Sequence, residues 1–173
     1  MKTSVILINI LRFFILVLAQ VFIFSKINLG GYLNPMVYIL FVLLLPFELS
    51  GSFVLILSFF LGLSVDLFTG SIGLHAGAAT FMAFLRPLSL RIISSNRDYE
   101  SGILPGVNDM GYAWFITYAL FLSFSHHLFY FMVEAFNFRE LPFVLLRIFL
   151  NTMLTTVLLV FIEILFKPQA KKG

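Results

Sequence analysis

Apolar residues run through this chain in long stretches, separated by short polar clusters. At about 20 apolar residues per bilayer crossing, the pattern predicts six membrane spans, over about 5–25, 36–47, 52–68, 75–93, 110–136 and 141–166. The first run follows Lys2 and is interrupted by Asn9, Arg12 and Gln20. It is too long for the apolar region of a cleaved signal, and no A-x-A-like site follows, so it reads as a span. The second run, Met36–Leu45 with Pro46-Phe47-Glu48 behind it, is short for a crossing and is expected to tilt or to bend at Pro46. Ser50-Gly51-Ser52 reads as a turn, and Thr69–Gly73 as a tight connection between the third and fourth spans. Pro87 is expected to kink or end the fourth. Ser94–Asp109 is the substantial polar stretch, which leaves a single polytopic membrane domain over 1–173.

Composition sharpens this picture. Of 173 residues, 61% are hydrophobic and 11% charged, with a mean hydropathy of +1.05, so charge cannot cover the surface of a soluble domain. The surface faces lipid, which the 23 Phe residues suit. The absence of Cys excludes disulfides, thiolate catalysis and Cys-based metal sites. The net charge of +3 belongs to basic loop edges and is no argument for nucleic acid. With six spans, one side collects Lys2, Arg86, Arg91, Arg97, Lys167, Lys171 and Lys172, and the other only Lys26 and Arg139. The positive-inside rule then places both termini, and Ser94–Asp109, in the cytoplasm.

Charges inside spans are costly and informative. They are Arg12, Asp66, Glu134, Arg147 and Glu163. Depth allows Arg147 to pair with Asp66 or with Glu134. It allows Arg12 to pair with Glu163, or else Arg12 to snorkel and Glu163 to pair with Lys167. Ser58, Gly62, Asp66 and Gly70 recur every four residues and so share a helix face, where small residues admit a close neighbour. His75, Ala79 and Ala83 continue the spacing in the next span, and Gly73 permits the reversal between them. Asp66 is expected to be hydrogen-bonded, to Arg147, to His75 or to backbone N–H groups of the Gly70–Gly73 turn, because an unpaired carboxylate in this setting is costly. His126 and His127 point about 100° apart on a helix, too far to share a metal easily, and with Tyr130 and Glu134 they read as interfacial packing. Arg147, Asn151 and Thr155 read as a hydrogen-bonded packing row. No cofactor site, nucleophile–base pair or phosphate loop stands out, so an enzyme is not expected.

The stretch Gly62-Leu-Ser-Val-Asp66-Leu-Phe-Thr-Gly70-Ser-Ile-Gly73-Leu-His75 resembles the signature of the bacterial rod-shape-determining MreD family, G-x-x-x-D-x-x-x-G-x-x-G-x-H. Length, span layout and basic inner edge fit along the whole chain. The resemblance implies a non-catalytic subunit of the cell-elongation machinery in the bacterial inner membrane. Its partners would be membrane lipids and the bitopic periplasmic scaffold MreC, with MreB, a SEDS-type glycosyltransferase and a transpeptidase acting alongside. It also implies a six-helix fold similar to the substrate-binding subunits of energy-coupling-factor transporters. Gly62, Asp66, Gly70, Gly73, His75 and Arg147 are the expected structural or partner-binding residues.

A competing reading makes the chain such a transporter subunit itself. That class docks its partner through small-x-x-x-small patterns on the first helix, which Asn9–Gln20 lacks, and a ligand cavity there calls for more than the single Trp114. An ion pathway through Asp66, Glu134 and Arg147 would need polar groups at mid-depth, whereas these charges fall near the span ends.

Overall fold

The computed structural model describes residues 3–27, 32–71, 73–93, 103–136 and 140–166. Among them, five helices are long and apolar enough to cross a membrane: α1 (Thr3–Phe22), α3 (Gly51–Thr69), α4 (Leu74–Ile93), α6 (Tyr112–Ala135) and α7 (Leu141–Leu165). Two single-turn helices complete the set, α2 (Leu40–Leu43) and α5 (Val107–Met110). The chain is a multi-pass helical membrane protein. Its outer surface is greasy, with Leu67, Phe84 and Val157 each about two-thirds exposed or more, as a lipid-facing surface requires. Several charges of the topology argument (Lys2, Arg97, Arg139, Lys167, Lys171 and Lys172) and residues 94–102 of the polar stretch lie outside the described residues.

Helices α3, α4, α6 and α7 pack in sequence as antiparallel neighbours. Phe81 of α4 stacks on Phe129 of α6, and His127 of α6 meets Thr155 of α7. Pro87 sits inside α4 without ending it. Its ring is exposed, and Ser89 Oγ donates to the Arg86 carbonyl in the same turn at 2.7 Å. Gly111, at φ 84°, separates α5 from α6, so α6 matches the fifth predicted span and α5 is a short helical turn at the end of the polar stretch before it.

The second predicted span is the main correction. Residues 36–47 form no long helix. A 3-10 turn over Val37–Ile39 leads into α2, and every residue from Met36 to Leu45 is at least 93% buried. The strand of chain nevertheless traverses the bundle. Asn34 and Met36 bond to Asn151 and Thr155 on α7, Tyr38 lies beside His75 at the start of α4, and Leu45 meets Arg86 past the middle of α4. His75 to Arg86 spans 11 helical steps, about 16 Å at the α-helical rise. The segment is therefore a broken crossing enclosed by helices.

Irregular backbone at membrane depth survives only where protein satisfies its polar groups. Here side chains from four helices do so. Asn151 Oδ1 accepts from Asn34 N at 2.5 Å, and Thr155 Oγ1 accepts from Met36 N at 3.2 Å. Gln20 spans two groups, accepting from Tyr38 N at 3.4 Å and donating to the Pro35 carbonyl at 3.2 Å. Tyr118 donates to the Leu43 carbonyl at 3.2 Å, and Arg86 to the Leu45 carbonyl. Arg86, assigned above to the basic inner edge, is only 4% exposed and also donates to the Tyr118 hydroxyl at 2.8 Å.

Candidate functional site

The motif residues form one structural unit at the α3–α4 hairpin. Gly70 takes the left-handed conformation (φ 73°) that ends α3, and its N–H donates to the Asp66 carbonyl at 2.9 Å. Gly73, at φ 75°, is the residue before α4, and its carbonyl accepts the first intrahelical bond from Gly77 at 2.9 Å. A glycine there brings no side chain to cap the helix. Asp66 supplies the cap from the neighbouring helix: Oδ1 accepts from His75 N at 3.1 Å and Oδ2 from Ala76 N at 2.9 Å. These are the second and third N–H groups of α4, the donors a capping side chain normally takes. The carboxylate also sits at the positive end of the α4 dipole, and Ser71 Oγ donates to Oδ1 at 2.7 Å.

Gly62, one turn before Asp66, makes the geometry possible. A Cβ on Gly62 would fall 2.5 Å from Ala76 Cα, so α4 begins against bare backbone. The close approach expected of the small-residue ridge is therefore to the first turn of α4. Asp66 is buried at 5% exposure. Of its three expected partners, the backbone at His75 bonds it, together with Ala76 and Ser71; Arg147 does not. Arg147 Nη1 pairs instead with Glu134 Oε2 at 2.9 Å and lies over the Phe131 ring at 4.5 Å. That separates Arg147 from the hairpin site with which it was grouped.

Below the hairpin, His75 joins a buried polar cluster. The Tyr38 hydroxyl lies 2.6 Å from His126 Nε2 and 3.4 Å from His75 Nδ1. His75 packs on Tyr130 at 4.8 Å between ring centres. His127 turns the other way, its Nε2 3.0 Å from Thr155 Oγ1. Both His126 and His127 are fully buried, so they belong to the interior and not to the membrane interface. The rings diverge by 86°, and each histidine has its own hydroxyl partner.

The inner charges separate as well. Arg12 Nη1 donates to Asn9 Oδ1 at 2.9 Å, and Glu163 Oε2 accepts from Val107 N at 3.2 Å. They face a common cavity without an ion pair between them among the described residues. Lys167, the other expected partner of Glu163, lies outside those residues.

Sequence reasoning missed Tyr38, Gln20, Arg86 and Tyr118. A usable signal existed. Ten apolar residues before a proline are too few for a span, and polar side chains at depth on four other segments imply backbone groups in need of partners.

Compared with models of protein families, with characterised proteins and with solved structures, the chain matches none.

Proposed function

We propose that this protein is a non-catalytic inner-membrane scaffold subunit of the bacterial cell-elongation complex, of the MreD kind. On this reading it binds the bitopic protein MreC and helps organise MreB, a SEDS-type glycosyltransferase and a transpeptidase. Both termini lie in the cytoplasm, and the bundle resembles the substrate-binding subunits of energy-coupling-factor transporters in fold. The observation that carries the reading is the hairpin. The motif residues Gly62, Asp66, Gly70, Gly73 and the His75 backbone each have a distinct task in one capped reversal. A motif spent on fixing a helix hairpin suits a protein whose output is a shaped surface.

The transporter reading is the less favoured. Its ligand cavity belongs inside the bundle, where the broken crossing and the Tyr38 cluster pack the space instead. The test is purification from the native host in mild detergent, with identification of co-purifying proteins. MreC and cell-wall synthases are the expected result; an ATPase module with a membrane coupling subunit overturns the proposal.

A further inference from the structure

A sizeable cavity lies away from the hairpin, between α1 and α7, with α2 as its floor and the residues around α5 as its rim. Its volume is about 570 Å³. The walls are aliphatic, including Ile15, Leu16, Leu40, Leu44 and Ile162, but three charged groups face it: Arg12, Asp109 and Glu163. Ile8, Leu11, Ile15 and Phe166 at its edge are exposed, so the cavity opens through the lipid-facing surface.

The charges have settled but incomplete surroundings. Among the described residues Arg12 meets only the neutral oxygen of Asn9, and the guanidinium is pulled by that bond toward the start of α1, hence toward the interface. Glu163 accepts one backbone N–H, from Val107, and Asp109 Oδ2 accepts one from Leu104 at 2.8 Å. A cation and a carboxylate that share a cavity without contact suit a ligand that carries both signs. Counted over Arg12, Asp109 and Glu163, the site is net negative by one charge, which disfavours a purely anionic headgroup.

We infer that the α1–α7 cavity binds an aminophospholipid, its phosphate on Arg12, its primary ammonium on Glu163 and Asp109, and an acyl chain along the aliphatic wall. Arg12 offers the planar donor set that phosphate oxygens take well. A primary ammonium donates hydrogen bonds to both carboxylates, which a choline headgroup cannot. A glycerol headgroup carries no cation, so the phosphate's negative charge is left unbalanced. Entry from the bilayer side needs no opening of the bundle.

Native mass spectrometry of the detergent-purified protein tests this. Delipidated protein is titrated with phosphatidylethanolamine, phosphatidylcholine and phosphatidylglycerol of equal chain length. Phosphatidylethanolamine is expected to be retained preferentially, by roughly fivefold or more, the scale of a charge-assisted hydrogen bond. R12Q should lose most of that retention, whereas E163Q should narrow the gap to phosphatidylglycerol, because it removes the repelling charge. L104W, which fills the rim without altering charge, should weaken all three lipids and serves if the charge variants fail to fold. Equal retention of the three lipids by the wild-type protein overturns the proposal, as does preference for phosphatidylglycerol. Displacement of the bound lipid by free phosphoethanolamine at matched concentration also overturns it, since the acyl wall would then contribute nothing.

Discussion

Asp66 Oδ2 accepts the N–H of Ala76 at 2.9 Å, so the last turn of α3 caps the first turn of α4. Its own backbone carbonyl meanwhile accepts from Gly70 N and closes α3. One residue thus ends a helix and starts the next. D66N keeps one acceptor oxygen but turns an NH2 group toward a donor. D66L leaves two buried donors, the N–H groups of His75 and Ala76, without partners, while Ser71 Oγ keeps Thr69 Oγ1 at 2.7 Å. A lost cap costs about 1 kcal/mol, and each buried unsatisfied donor about 1–3 kcal/mol. Thermal unfolding in detergent should therefore rank wild type above D66N and D66N above D66L. Equal midpoints for wild type and D66L would remove the capping role.

Gly62 is the steric condition for that cap. G62A places a methyl 2.5 Å from Ala76 Cα, and backbone cannot swing aside as a side chain can. The helices must separate, at a cost of about 1–3 kcal/mol, and the Asp66 bonds lengthen with them. Gly51, where a Cβ would meet nothing within 4 Å, is the matched control. G51A should leave the melting midpoint unchanged or slightly raised, and G62A should lower it. A G62A midpoint at the wild-type value would mean that the two helices do not meet there.

How much of this was readable in the chain follows from where each constraint resides. The long spans were legible because run length alone identifies them. The hairpin was legible because Gly62, Asp66, Gly70 and Gly73 lie within 12 residues of one another, and local spacing fixes their face. The broken crossing was not. An apolar run of Met36–Leu45 composition fits a buried segment or a helix equally well. What decides is the supply of partners from as far as 119 residues away, as between Met36 and Thr155. The choice of Glu134 over Asp66 by Arg147 was likewise hidden. Sequence gives depth along a helix, but the rotation of α7 against α6 comes from packing.

The broken crossing yields its own test. Arg86 holds the Leu45 carbonyl and the Tyr118 hydroxyl with separate nitrogens, and Tyr118 in turn holds Leu43. R86M keeps a long apolar stem and removes both bonds, leaving a buried carbonyl unpaired at a cost of about 1–3 kcal/mol. Y118F removes the link to Leu43 and the acceptor of Arg86 Nε, and leaves Arg86 on the Leu45 carbonyl. Both variants should lower the melting midpoint. The double variant should fall short of the sum of the two, because the residues share one network. Strict additivity would mean that they act separately.

The pair of Arg147 with Glu134 sits near the end of the α6–α7 interface, with side chains 17% and 32% exposed. Exposure at that level keeps its net worth small, and pairs open to solvent commonly contribute no more than about 1 kcal/mol. Removing one partner has unequal consequences. E134Q leaves Arg147 over the Phe131 ring, where the aromatic face still stabilises the cation. R147M leaves Glu134 with no such refuge, but Glu134 is the more exposed and can hydrate. Both single variants should therefore shift the melting midpoint only modestly, and neither should approach the loss from D66L. The charge swap E134R with R147E should recover part of the pairing but forfeit the ring contact, so it should remain below wild type. A swap that restores full stability would show that charge alone matters at this site. A single variant as damaging as D66L would mean that Arg147 supports the hairpin after all, despite its distance from Asp66 in bonding.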